Sequence, residues 1–164
     1  MAQNKISYEQ FLEATDAGYH AFVDNLHNHL LDNGCKATFE EKKTGLLGSY
    51  KHTKTKKSVI NLLLKKRGLI VRIYGENIGK YPDFLDTLTE EMVTSIESAG
   101  VCKRLVQNTC SPKCAGYDFT IGSKRYQKCR YSCFEFLVTD ESSPCIMSFV
   151  ENEIRERSAP GKNE

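Results

Sequence analysis

Four cysteines carry the strongest chemical signal in this sequence. Cys110 and Cys114 are separated by three residues, as are Cys129 and Cys133, and fourteen residues lie between the two pairs. Thiolates are soft ligands, and two close pairs of this kind resemble a zinc ribbon, in which four sulfurs hold Zn2+ tetrahedrally. The sequence between the pairs would bring them together. Tyr117 to Ile121 and Lys124 to Cys129 alternate like strands around Gly122-Ser123. Gly at the first turn position favours a two-residue hairpin of the primed type. In that register Phe119 faces Tyr126 and Ile121 faces Lys124, so both pairs meet at the open end of the hairpin. A closed four-thiolate site is structural and ties down a segment with little core of its own. The usual spacing within a pair is two residues, not three. The same cysteines therefore also admit an iron–sulfur cluster, free thiols or a redox disulfide, with Cys102 as a substitute ligand.

Other residues allow different chemistry. Cys145 is placed by the sequence in the first turn of the last helix, where a thiol pKa can fall. A thiol-dependent enzyme or redox sensor using Cys145 or Cys102 is the alternative reading. The bases on offer are His20, His27, His29 and His52. His20, Asp24 and His27 occupy neighbouring turns of one helix face, as metal ligands or as a solvated polar face. No P-loop, dinucleotide fingerprint, zincin helix or nucleophile elbow is present.

Charge is distributed unevenly. Between Lys42 and Gly75 there are ten Lys or Arg and no Asp or Glu, whereas the rest of the chain holds 13 basic and 21 acidic residues. Lys54, Lys56 and Lys57 fall at one end of a strand. Lys65, Lys66 and Arg67 fall at the other end, joined there by Lys42 and Lys43. The ends are roughly 23 Å apart at about 3.3 Å per residue. Two such clusters can follow successive phosphates of a nucleic acid, with Tyr50 and Tyr74 as stacking partners. Lysines at turns and strand edges also simply block edge-to-edge pairing.

The elements that must position these groups follow from periodicity and punctuation. Ser7 and Gln10 form a capping box ahead of a short helix, which Gly18 interrupts. Tyr19, Phe22, Val23, Leu26 and Leu30 then recur at helical spacing up to Asn33-Gly34. Strands are predicted near 36–42, 46–53, 58–65 and 69–74, joined by short turns into an antiparallel meander. Val59 to Leu64 is almost continuously apolar, as for a strand covered on both faces. A helical stretch at 81–99 has Thr89 as a cap. Ser143 as N-cap and Pro144 open a last helix with Ile146, Phe149, Val150 and Ile154 on its apolar face. The predicted class is α+β: N-terminal helices, a four-stranded antiparallel meander, a helix, a Cys-rich hairpin and a C-terminal helix.

The chain has 164 residues, 40% hydrophobic and 27% charged, which suits one soluble domain. That domain is expected over 7–158, with 102–140 as the Cys-rich subregion and loose ends at 1–6 and 159–164. No apolar run is long enough to span a membrane, and Met1 to Tyr8 lacks the core of a signal peptide. A reducing cytoplasm is therefore expected, where structural disulfides are disfavoured.

The run Gly-Leu-Ile-Val-Arg-Ile-Tyr-Gly at 68–75, following a helix and a meander, resembles small bacterial proteins of the YjbR/MmcQ type over about residues 10–100. That resemblance implies a compact α+β fold and DNA binding. The segment Cys-Arg-Tyr-Ser-Cys-Phe-Glu-Phe at 129–136, with Tyr-Asp-Phe-Thr-Ile before it, is similar to uncharacterised proteins of anaerobic Firmicutes. This implies a bacterial cytoplasmic protein and supplies no reaction. The combined expectation is a binding module rather than an enzyme. Zn2+ on Cys110, Cys114, Cys129 and Cys133 stabilises it, and a nucleic acid or protein partner meets the basic 42–75 segment.

Overall fold

In the computed structural model, residues 4–102, 105, 116–130 and 132–158 are described. The predicted α+β class holds. Strand β1 (Asn4–Ile6) leads into α1 (Tyr8–Ala14), a 3-10 turn at Ala17–Tyr19, and α2 (His20–Asp32). The meander is β2 (Cys35–Lys42), β3 (Gly45–His52), β4 (Lys57–Lys65) and β5 (Gly68–Ile73). A 3-10 turn at Ile78–Lys80 precedes α3 (Pro82–Leu85) and α4 (Glu90–Ser98). The hairpin β6 (Tyr117–Ile121) and β7 (Lys124–Lys128), strand β8 (Glu135–Leu137) and α5 (Ser142–Ser158) complete the described chain.

The meander is extended at both edges. The large sheet runs β1-β2-β3-β4-β5-β8, antiparallel throughout. Residues 4–6 are thus an edge strand rather than a loose end. Ile6 sits opposite Phe39 and packs against the core, which repays ordering the terminus. Strand β8 escaped prediction because it is three residues long. Its register sets Glu135 opposite Arg72, and the two side chains pair at 2.8 Å.

Side-chain caps explain several helix starts. The Ser7–Gln10 box forms as expected, and the Thr89 hydroxyl accepts from Met92 N at 3.1 Å. The stretch at 81–99 breaks into two helices because Thr89 caps a second start. Helix α5 begins before Ser143. Thr139 and Ser142 exchange reciprocal side-chain-to-backbone hydrogen bonds at 2.9 and 3.0 Å, which caps the chain one turn earlier. Gly45 has φ +145°, and a Cβ there would lie 1.9 Å from the Leu64 carbonyl oxygen, so β3 and β4 approach as closely as they do only with glycine.

The helices cover one face of the sheet. Phe39, Tyr50, Ile60, Leu62, Val71, Ile73 and Phe136 form one buried cluster with Val23, Leu26 and Leu30 of α2 and with Ile146, Phe149, Val150 and Ile154 of α5. The register places Thr38, Ser49, Asn61, Arg72 and Glu135 in one row on the opposite, outer face. Val59 to Leu64 is therefore not covered on both faces. A bulge at Tyr50/Lys51 lets Val59 and Ile60 both bury, and Leu63 then falls on the outer face, half-buried.

One fully buried ion pair locks the layers together. Glu153 and Arg157, one turn apart on α5, pair at 2.8 Å with side chains 0% and 2% exposed. The Glu153 carboxylate also accepts from Asn77 N at 3.1 Å, Asn77 Nδ2 at 2.9 Å and the Tyr81 hydroxyl. Arg157 donates to the carbonyls of Lys57 at 3.2 Å and Tyr74 at 2.8 Å. Burying two charges is tolerable only when their remaining hydrogen-bond capacity is met, as here. The Glu153→Ala variant, which strands the Arg157 charge, should lose about 3–5 kcal/mol of stability. Urea unfolding should show a lower midpoint at unchanged slope.

Candidate functional site

The basic residues lie where the meander turns. Lys42, Lys43, Lys54, Lys56, Lys57, Lys66 and Arg67 are exposed and Lys65 is half-buried. They form two groups at opposite ends of the sheet, as their strand positions predict. Lys42, Lys43, Lys65, Lys66 and Arg67 share the end made by the β2–β3 and β4–β5 hairpins, and Lys54, Lys56 and Lys57 occupy the β3–β4 end. Lys42 pairs with Glu40, while Lys54, Lys56 and Lys57 have no ion pair among the described residues.

Two further cations join the second group. Lys36 and Lys51 are directly opposite on β2 and β3, both exposed on the outer face. Facing like charges cost a sheet stability, and neither has a carboxylate partner among the described residues. The sequence contained this signal: once the turn pairs Lys42 with Gly45, counting outward puts Lys36 opposite Lys51. The β3–β4 loop is itself held in place, because Arg157 donates to the Lys57 carbonyl and Lys56 N donates to the His52 carbonyl at 2.8 Å. Beside it opens a cleft of about 230 Å3, lined by Thr55, Lys57, Asn77, Lys80 and Arg157 together with the carboxylates Glu76 and Glu156. Glu76 is paired with Arg130. Tyr50 and Tyr74 do not offer stacking platforms, since both are buried, at 0% and 7% exposure.

Half of the four-cysteine constellation lies outside the described residues, namely Cys110 and Cys114. The hairpin that should align the pairs has the expected register, Phe119 opposite Tyr126 and Ile121 opposite Lys124, and Gly122 takes φ +61°. Cys129 and Cys133 are brought together by one turn of chain, in which Cys133 N donates to the Cys129 carbonyl at 3.0 Å. Burial pushes the Cys133 thiol far up, and the neighbouring Cys129 adds to the rise. Lys128 fixes the turn's approach by donating to the Glu97 and Ala99 carbonyls at 3.0 and 2.9 Å, at the end of α4. Among the described residues no three of His, Cys, Asp and Glu converge as metal ligands. Cys102, buried close against Gly116, therefore makes no trio with Cys129 and Cys133.

The thiol alternative finds little support in the geometry. Cys145 lies a full turn inside α5, its sulfur 3.9 Å from the Thr87 carbonyl, and burial raises its pKa. The structure instead sets Cys35 opposite His52, a pairing that the sequence reading missed. Both are buried, and burial pushes the Cys35 thiol up to about 11, so this pair is core rather than a nucleophile with its base. His20, Asp24 and His27 are separately engaged: His20 with the Thr15 carbonyl, Asp24 with the Tyr8 hydroxyl, and His27 Nδ1 with the Tyr50 hydroxyl at 2.7 Å.

Compared with family models, curated proteins and solved structures, the chain matches none of them. No described helix is long and apolar enough to cross a membrane.

Two histidines make stability depend on pH. Burial holds His27 below the ordinary value of 6.5, against the opposing pull of Asp24 and Glu9. Burial, then the Arg157 and Lys54 cations, depress His52. Above about pH 6.5 the imidazoles are neutral in both states; below it the unfolded chain takes up protons first, so stability falls as pH drops. The melting temperature should decline from about pH 7 to pH 5.5, and less steeply in His52→Asn. A flat profile across that window rejects this account.

Proposed function

We propose that this chain is a nucleic-acid-binding module that meets phosphates with the β3–β4 end of its outer sheet face. The observation that supports it is the set Lys36, Lys51, Lys54, Lys56 and Lys57: exposed, without ion pairs among the described residues, and including two lysines directly opposed across strands. A like-charge pair that weakens the fold fits a surface that awaits anions. The Lys57 and Lys80 cleft extends this surface toward α5. The cations at the other end lie about 23 Å away along β4, within reach of a longer strand or duplex. The resemblance of 68–75 to YjbR/MmcQ-type proteins points to DNA as the nucleic acid.

Fluorescence anisotropy with a labelled duplex and a labelled single strand tests the reading. Affinity should fall about 10³-fold or more between 50 and 200 mM salt if six or more phosphates are neutralised. Lys51→Ala should lower the salt slope by about 1 while raising fold stability by about 0.2–1 kcal/mol, because it relieves repulsion from Lys36. Salt-insensitive binding, or no binding to either probe, overturns the proposal.

The same reading includes a structural zinc held by Cys110, Cys114, Cys129 and Cys133 in a reducing cytoplasm. The turn that closes with Cys133 N donating to the Cys129 carbonyl supports it. Plasma mass spectrometry on untagged protein should find about one zinc per chain, with Cys133→Ser losing it and a chelator unfolding the hairpin region. Metal-free protein with readily alkylated thiols would move thiol chemistry to first place.

A further inference from the structure

The outer face of the sheet carries an aliphatic row that the core does not use. Leu47, Leu63, Ile70 and Leu137 are consecutive register partners across β3, β4, β5 and β8. None belongs to the hydrophobic cluster beneath the helices. Ile70 is shielded at the centre of the row, whereas Leu47 and Leu63 are half-buried and Leu137 is 42% exposed. Helix α4 borders the row at its β8 end, where Glu91, Met92 and Ser95 line a cleft with Leu137.

Charge and shape define what fits. On one side the row is bordered by Lys42 and Lys65, with Lys43, Lys66 and Arg67 at the adjoining hairpin tips. On the other side lie Thr38, Ser49, Asn61 and the mutually neutralised Arg72–Glu135 pair. Cations therefore flank one border only. The carboxylates nearby are Glu40, already paired with Lys42, Glu135, already paired with Arg72, and Glu91. At β8 the row runs into a cleft of about 200 Å3 lined by Arg67, Glu91, Met92, Ser95 and Leu137. Four strands at about 4.8 Å spacing make the row about 14 Å long. An α-helix covers that length in about ten residues, enough for anchors at i, i+3 or i+4, and i+7.

We propose that this row is the docking site for an amphipathic α-helix of a partner protein, apolar on the contact face and acidic along the flank that meets Lys65, Lys66 and Arg67. A second copy of this chain is a poorer fit, because the only acid in the row's own line, Glu40, is already paired and the cations would lack a counterpart. Nucleic acid is poorer too, because it stacks on aromatic side chains and the row has none. The site lies beside, and apart from, the Lys36–Lys51 surface.

The probe is a labelled 18-residue designed helix with leucines on one face and glutamates along one flank, beside a scrambled peptide of the same composition. Anisotropy should show binding at least tenfold tighter than the scramble. Leu137→Asp and Lys66→Glu/Arg67→Glu should each weaken it at least tenfold, with circular dichroism and duplex binding at the Lys36–Lys51 surface unchanged for Leu137→Asp. Methyl shifts on titration should concentrate at Leu47, Leu63, Ile70 and Leu137. Equal binding of the scramble, or loss with the charge variant but not with Leu137→Asp, overturns the proposal. So does a concentration-dependent dimer abolished by Leu137→Asp, which would make a second copy the occupant. Competition between the helix and a duplex that Leu137→Asp abolishes equally would assign the row to nucleic acid instead.

Discussion

The buried Glu153–Arg157 pair is the constraint on which the arrangement of the β3–β4 end of the sheet depends. It sits on α5, yet its hydrogen bonds reach β4 through the Lys57 carbonyl, the end of β5 through the carbonyl of the next residue, Tyr74, and the following loop through Asn77 and Tyr81. Four separate segments thus share one charge pair. A buried pair contributes little net stability compared with apolar packing, but removing one member leaves an uncompensated charge. Its value here is positional. The β3–β4 loop, with Lys54, Lys56 and Lys57, leaves the sheet from a backbone that Arg157 holds.

A second polar cluster extends this end toward the cysteines. Arg130 pairs with Glu76 and lies 5.9 Å from the Tyr74 ring centre. Cys129 and Cys133 flank that arginine on the same turn. The aromatic packing of Tyr117 on Phe134 and of Phe134 on Phe149 then carries the hairpin into the main core. A metal on the cysteine turn would accordingly stiffen a region already joined to the core on one side.

The two sheet faces differ in what they carry. The inner face packs against α1, α2 and α5, and α3, α4 and the β6–β7 hairpin add Leu85, Met92, Ile96, Tyr117 and Phe119 to the same core. The outer face presents opposed lysines at one end and an aliphatic row with a cationic border at the other. Antiparallel sheets commonly leave one face to water, and here that face carries the two features.

Local signals determined much of this. Capping residues, the helical stripe of α2, the four meander strands and the Gly122-Ser123 hairpin depend on neighbours within a few residues, and the sequence states them directly. The counted turn at Lys43-Thr44 even contained the Lys36–Lys51 opposition. What tertiary structure alone decided are the features set by distant pairing. Counting back from the His52–Lys57 pair would put Leu62 opposite Leu47, but the bulge at Tyr50/Lys51 shifts the register and puts Leu63 there. A one-residue shift exchanges faces, so the bulge decides that Leu62 enters the core and Leu63 joins the outer row. Strand β8 adds Leu137 from more than sixty residues away, and Glu153 finds Asn77 across 76 residues. Such contacts have no local periodicity to announce them; they form only when the whole sheet and the last helix close on one core.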